Sequence, residues 1–91
     1  MSMDERIRER LMMALEPRRL DVVNESHMHA GHASSPGTGE SHYRVLVVAD
    51  RFAGQTRVAR HRMVNEALKA ELAEGVHALA IGAYAPGEPV R

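Results

Sequence analysis

The chain has 91 residues, no cysteine and equal numbers of basic and acidic side chains, twelve of each. A chain of this length has room for one domain with a modest core, and a net charge of zero is not typical of a dedicated nucleic-acid binder, which needs cations to neutralise phosphates. The missing cysteines exclude disulfides, a thiol nucleophile, cysteine-ligated zinc and a thiolate-bound iron–sulfur cluster held by this chain alone.

Composition and motifs also bear on location and catalysis. No apolar run approaches the length of a membrane span, and the stretch from Asp4 to Arg10 is too charged for a signal peptide and too acidic for a transit peptide. We therefore expect a soluble cytoplasmic protein with no membrane partner. The chain shows no phosphate loop, no paired-carboxylate motif and no Ser/His/Asp order in a supporting context, so we expect no enzymatic activity.

The N-terminal part of the chain predicts one helix followed by one strand. Ser2 and Glu5 stand in capping-box spacing at the start of a helix over residues 3–15, and Pro17 ends it. The apolar stripe of this helix consists of Ile7, Leu11, Ala14 and Leu15. Residues 20–25 predict the first strand.

A loop over residues 27–39 separates this strand from the strongest strand of the chain. The loop carries three histidines and then a Gly/Ser/Pro-rich half that is typical of an irregular connection. Residues 42–49 alternate around Tyr43, Val45 and Val47, with both faces largely buried toward the end, and predict the second strand. Residues 50–55 predict a turn.

The C-terminal half predicts a helix and a last strand. Thr56 is a cap residue for a helix over residues 56–73, with an alternative break near Arg60 and His61, and Gly75 stands at the stop position. The helical period is carried by Val58, Val64, Ala67, Leu68 and Leu72. Residues 76–84 predict the third strand.

The predicted element order is α-β-β-α-β. The first two strands form an antiparallel hairpin, and the last strand returns through a helix, which permits parallel pairing by a right-handed crossover. This order predicts an α+β two-layer domain with a three-stranded mixed sheet and helices on one face. We place the single domain at residues 1–85 and a short polar C-terminal tail at residues 86–91.

Five blocks of the chain resemble BolA proteins in sequence and in order. The blocks are residues 24–26, 39–45, 47–54, 60–65 and 75–80. Phe52, Gly54, Arg60, His61 and Val64 form the pattern F-x-G-x5-R-H-x2-V, which is a signature of that family. The resemblance covers about the whole chain and implies a KH-like domain of the class II type, in agreement with the predicted element order.

The resemblance also implies a function through partners. BolA proteins associate with monothiol glutaredoxins, often through a shared [2Fe–2S] cluster that glutathione helps to hold, in iron–sulfur trafficking or iron regulation. The ligand positions carried over from the family are the histidine that opens the last strand, His77, and a histidine of the first hairpin loop, which His32 matches best. The loop departs from the family pattern because it is longer and also carries His29 and His27, which are less favoured ligands. In isolation we expect no cofactor and a monomer or weak homodimer.

The residues alone leave alternatives for these histidines. His77 is also compatible with a partly buried strand residue satisfied by a backbone group, and His32 with a solvated loop residue. His27, His29 and His32 together are compatible with adventitious binding of zinc or copper, as histidine-rich tracts often show.

The family resemblance also implies a second possible function, because bacterial BolA proteins are described as transcriptional regulators of stress response and cell morphology. DNA would then be the partner, contacted in the manner of a helix-turn-helix by the basic segment 57–69. The candidate residues are Arg57, Arg60, His61 and Arg62. The chain has no GXXG loop, so single-strand binding of the KH type is not predicted.

Overall fold

The computed structural model describes residues 2–25 and 42–90, which form three helices, three strands and one 3-10 turn. In chain order the elements are α1 (Met3–Leu15), β1 (Arg19–Asn24), β2 (His42–Val48), the 3-10 turn (Asp50–Phe52), α2 (Arg57–Ala67), α3 (Lys69–Glu74) and β3 (Ala78–Tyr84). The strands form one sheet in the order β1-β2-β3, with β1 antiparallel and β3 parallel to β2. The predicted α+β domain with a three-stranded mixed sheet is confirmed.

Helix α1 begins and ends where the sequence predicts. The Ser2 hydroxyl accepts a hydrogen bond from the Glu5 amide, and the Glu5 carboxylate accepts from the Ser2 amide and hydroxyl, which is the predicted capping box. These hydrogen bonds from Ser2 lower the pKa of the Glu5 carboxyl. The buried positions of the helix are Ile7, Leu11 and Leu15. Ala14 is exposed, so the apolar stripe is narrower than predicted.

Strand β2 is the central strand, and its alternating side chains divide the sheet into two faces. Tyr43, Val45 and Val47 are at most 2% exposed and belong to the same buried cluster as the apolar residues of the helices. Their register partners on β1 and β3 include partly buried apolar side chains that pack against this cluster. The helices therefore cover one face of the sheet, as predicted.

Two residues of the signature pattern, Phe52 and Gly54, lie in the connection between β2 and α2. Phe52, the only phenylalanine of the chain, is fully buried in the 3-10 turn. Gly54 has φ of 76°, a left-handed conformation that favours glycine. Thr56 then caps α2, because its hydroxyl accepts a hydrogen bond from the Ala59 amide at 3.1 Å. The buried Phe52 and Val64 anchor the two ends of this segment in the core.

The predicted helix over residues 56–73 is in fact two helices. The break lies at Leu68, with φ −102° and ψ 16°, and the alternative break near Arg60 and His61 is wrong because α2 runs through both. Leu68 is 1% exposed and belongs to the core, and α3, which follows the break, contacts α1. The sequence pattern places Val58 in the apolar period, but its side chain is 61% exposed in the first turn of α2. No helix within residues 2–25 and 42–90 is long and apolar enough to cross a membrane.

The third strand begins later than predicted. The sequence predicts a strand over residues 76–84, but Val76 belongs to the turn that ends α3 and donates its amide to the Glu71 carbonyl at 3.2 Å. The Val76 side chain is 6% exposed, so a core contact and not sheet pairing explains its apolar character. Strand β3 starts at Ala78, and His77 lies just outside it. The limits of β1 and β2 differ from prediction by one residue.

Candidate functional site

His77 lies at the junction between α3 and β3, and it is exposed. The residue before it, Val76, is buried, and the residue after it, Ala78, pairs with His42 at the start of β2. The alternative of a partly buried histidine within the last strand is therefore wrong. An exposed imidazole between two anchored neighbours has a fixed backbone position and is accessible to a partner or a metal.

The segment that carries the loop histidines leaves and re-enters the sheet at the same end as His77. Strand β1 ends at Asn24, which pairs with Tyr43, and the next amide, that of Glu25, donates to the His42 carbonyl at 2.8 Å. Because β2 and β3 are parallel, their first residues are neighbours at this end of the sheet. His27, His29 and His32 lie outside the described residues, so the choice of loop ligand stays a prediction.

An ion pair joins the two flanks of this segment. Arg44 Nε on β2 lies 3.1 Å from a carboxylate oxygen of Glu25, which directly follows β1. Across residues 2–25 and 42–90, no three His, Asp or Glu side chains come together in a way that could hold a metal ion. A metal ion bound by His77 would therefore need further ligands from outside these two ranges.

Arg60, a residue of the signature pattern, uses its guanidinium inside the domain. It donates to the Gln55 carbonyl at 3.0 Å, to the Ala83 carbonyl at 3.2 Å and to both oxygens of the Glu88 carboxylate at 2.6 and 2.9 Å. The side chain is only 12% exposed. Four of the five N–H donors of an arginine are thus engaged, which leaves little for a phosphate.

Glu88 reaches Arg60 through a tight turn after β3. The Glu88 amide donates to the Ala85 carbonyl at 3.1 Å, the Glu88 carboxylate accepts from the Ala85 amide at 2.9 Å, and Gly87 has φ of 89°. The bonds from Arg60, and then the bond from Ala85, lower the pKa of the Glu88 carboxyl to about 2. The Pro-Gly pair signals the turn in the sequence, but no local signal indicates that Glu88 binds Arg60, so this contact could not be predicted from the sequence.

The four residues proposed for DNA contact do not share one face of α2. Arg57, Arg60 and His61 line a crevice of about 480 Å³ beside β3. Arg62 lines a different groove, which Leu15 of α1 also lines. Side chains one or two positions apart on a helix point in different directions, so the basic segment is divided between two surfaces.

The comparison with protein families identifies the chain. The model of the BolA-like protein family matches residues 11–88. The chain belongs to the BolA-like family.

This BolA-like protein has close relatives over nearly its whole length. It is 55% identical over 92 residues to an uncharacterized protein in the cobS 5′ region of Sinorhizobium sp, which covers 100% of this chain and 99% of that protein. It is 48% identical over 82 residues to the DNA-binding transcriptional regulator BolA of Vibrio cholerae, which covers 90% of this chain and 74% of the regulator. SufE-like protein 1 of Arabidopsis thaliana is 44% identical over 87 residues, 91% of this chain but 24% of that longer protein.

Solved structures agree with this membership. BolA1 from Arabidopsis thaliana superimposes with a TM-score of 0.84 at 41% identity, over 94% of both chains. The BolA domain of SufE1 from the same plant superimposes with a TM-score of 0.85 at 42% identity, over 98% of both chains. The BolA-like protein therefore has the fold of a BolA domain.

Proposed function

We propose that this BolA-like protein is a non-catalytic adaptor that partners a monothiol glutaredoxin and shares a [2Fe–2S] cluster with it. The observation that carries the proposal is the position of His77. Its exposed side chain lies at the end of the sheet where the histidine-rich segment leaves β1 and returns to β2. One imidazole from the α3–β3 junction and one from this segment would then serve as ligands, with His32 favoured over His29 and His27.

The absence of cysteine supports a shared cluster over a resident one. A [2Fe–2S] cluster is ordinarily held by thiolates, and this chain has none to offer. Imidazole also binds iron, and two histidines replace two cysteines at one iron of a Rieske centre. The glutaredoxin and a bound glutathione would supply the thiolates, and this protein would supply nitrogen, in iron–sulfur trafficking or iron regulation.

Reconstitution tests this proposal. The protein is mixed without oxygen with a monothiol glutaredoxin, glutathione, iron and sulfide, and the glutaredoxin alone is treated in the same way. We expect the mixture to give a complex on size exclusion whose visible absorption and circular dichroism differ from those of the glutaredoxin cluster. A mixture whose spectrum equals that of the glutaredoxin sample, with this protein eluting separately, would contradict the proposal.

A second candidate function is DNA binding, which the similarity to the DNA-binding transcriptional regulator BolA of Vibrio cholerae favours. Arg57 and Arg62 are exposed and form no ion pair with any other described residue, whereas Arg60 is bound to Glu88. The two exposed arginines are therefore the better candidates for phosphate contacts. Their position on different surfaces and the net charge of zero limit the number of phosphates that one duplex can offer them.

The salt dependence of binding tests this second candidate. The logarithm of the association constant for duplex DNA falls with the logarithm of salt concentration by about 0.9 for each phosphate contacted. If DNA is a partner, Arg57→Gln and Arg62→Gln should each reduce this slope by about one contact. Affinity that does not change with salt would exclude the function.

A further inference from the structure

Glu71 is the one charged residue that is buried among the described residues, with a side chain that is 0% exposed. One carboxylate oxygen accepts from Arg6 at 2.9 Å and lies 3.4 Å from Nε of Arg10, both on α1. The other oxygen has no hydrogen-bond partner among the described residues. A buried carboxylate with one unpaired oxygen contributes little to the stability of a fold. Proteins with apolar residues of similar volume in place of a buried ion pair are often equally stable or more stable. What the side chain does provide is a connection between α3 and α1.

The backbone of Glu71 is joined to the turn that carries His77. The Glu71 carbonyl accepts from the amides of Gly75 and Val76, each at 3.2 Å. Val76 is buried, and His77 follows it directly. The side chain of Glu71 is therefore fixed to α1 while its carbonyl fixes the backbone immediately before His77.

Helix α3 depends on this connection. It has six residues and no side-chain cap at its N-terminus, and a helix of this length is not stable without tertiary contacts. Arg6 and Arg10 hold the C-terminal turn of α3 against α1 through their contacts with the buried carboxylate of Glu71.

We infer that Glu71 is a positioning residue for His77. Through its bonds to Arg6 and Arg10 it fixes the end of α3, and through its carbonyl it fixes the turn that presents the imidazole at the end of the sheet. This inference rests on the proposed role of His77 as a cluster ligand. It adds that Glu71, a residue of α3, helps to hold His77 in the position from which it would bind the cluster.

The test is Glu71→Gln, which keeps the volume of the side chain and removes its charge. In the isolated protein we expect the imidazole resonances of His77 and the amide resonances of residues 75–77 to shift, with the amides of β1 unchanged. With glutaredoxin, the affinity for the mixed cluster should fall about tenfold, the lower end of what the loss of an outer-shell support costs. Both measurements are made well below the unfolding temperature of the variant.

Glu74→Gln is the matched control. Glu74 also binds Arg6, but its side chain is 54% exposed, so the change should alter the mixed-cluster affinity by less than about twofold. The inference is overturned if Glu71→Gln only lowers the unfolding midpoint and leaves His77 and the affinity unchanged, or if Glu74→Gln moves His77 equally. If Glu71→Gln does not fold, Arg10→Gln removes one of the two contacts to the buried carboxylate and should shift the same resonances. Unchanged resonances in that variant also overturn the inference.

Failure of this inference is distinguishable from failure of the proposed function. If His77→Ala forms the same mixed cluster as the unaltered protein, His77 is not a ligand, whatever Glu71 does. If His77→Ala loses the mixed cluster while Glu71→Gln changes neither the resonances nor the affinity, only the positioning role is wrong.

Discussion

Arg60 belongs to the signature pattern of the family, and its guanidinium lies between the start of α2, the end of β3 and the turn at Glu88. An arginine in a basic helix segment suggests contact with a nucleic acid when only the sequence is considered. Its 12% exposure and its bidentate bond to Glu88 instead indicate that it joins three parts of the domain. The neighbouring Arg57 has no such partner among the described residues, so the two positions differ in role.

The pair between Arg60 and Glu88 predicts a pH-dependent contribution to stability. The folded-state pKa of Glu88 is about 2, below the ordinary value of 4.5, so its contribution is fully present above about pH 5 and is lost as the pH falls through about 2. Glu88→Gln should therefore lower the urea midpoint near neutral pH, and the difference from the unaltered protein should disappear near pH 2. Urea unfolding at a series of pH values measures this.

Glu66→Gln is the matched control for this prediction. Glu66 is an exposed carboxylate on α2 that forms no ion pair with another described residue, so its replacement should change the urea midpoint little. If the Glu88 and Glu66 variants lose the same stability at every pH, the bond to Arg60 does not stabilise the fold.

The elements of the domain depend on local signals to different degrees. The start of α2 depends on such a local signal, because the Thr56 hydroxyl accepts a hydrogen bond from the Ala59 amide and caps the helix.

Thr56→Ala should lower the free energy of unfolding by about 1 kcal/mol, within the range of 0.5–2 kcal/mol that is usual for a lost cap. Urea unfolding with an unchanged m-value is the measurement. Thr56→Ser keeps the hydroxyl and should be close to the unaltered protein, and an equal loss for both variants would contradict the capping role.

Features set by neighbouring residues could be predicted from the sequence. The capping box of Ser2 and Glu5, the limits of α1 and the alternation of β2 all depend on residues a few positions apart. The break at Leu68 could not be predicted, because no glycine or proline marks it in the sequence.

The candidate site also has features that could be predicted from the sequence and features that could not. His77 could be found through the family blocks, but its exposure depends on where α3 ends and β3 begins. The contacts of Glu88 with Arg60 and of Glu71 with Arg6 join residues that are 28 and 65 positions apart. Charged residues so far apart in the sequence form no periodic pattern, so neither contact could be predicted without the structure.

The parallel pairing of β2 and β3 places the α3–β3 junction beside the flanks of the histidine-rich segment. The same end of the sheet thus presents His77 and anchors the segment that holds His27, His29 and His32. In the proposed complex the domain would contribute nitrogen ligands and no thiolates, because the chain has no cysteine. This combination suits a protein that completes a cluster together with a thiolate-bearing partner.

The most direct test of that role is the mixed-cluster reconstitution carried out with His77→Ala and with His61→Ala. His61 is the matched control, because it lies on α2 in the crevice beside β3 and not at the α3–β3 junction. We expect the His61 variant to give the same visible circular dichroism with the glutaredoxin as the unaltered protein, and the His77 variant to give the spectrum of the glutaredoxin cluster alone. A His77→Ala spectrum identical to that of the unaltered mixture would contradict the assignment of His77 as a shared-cluster ligand.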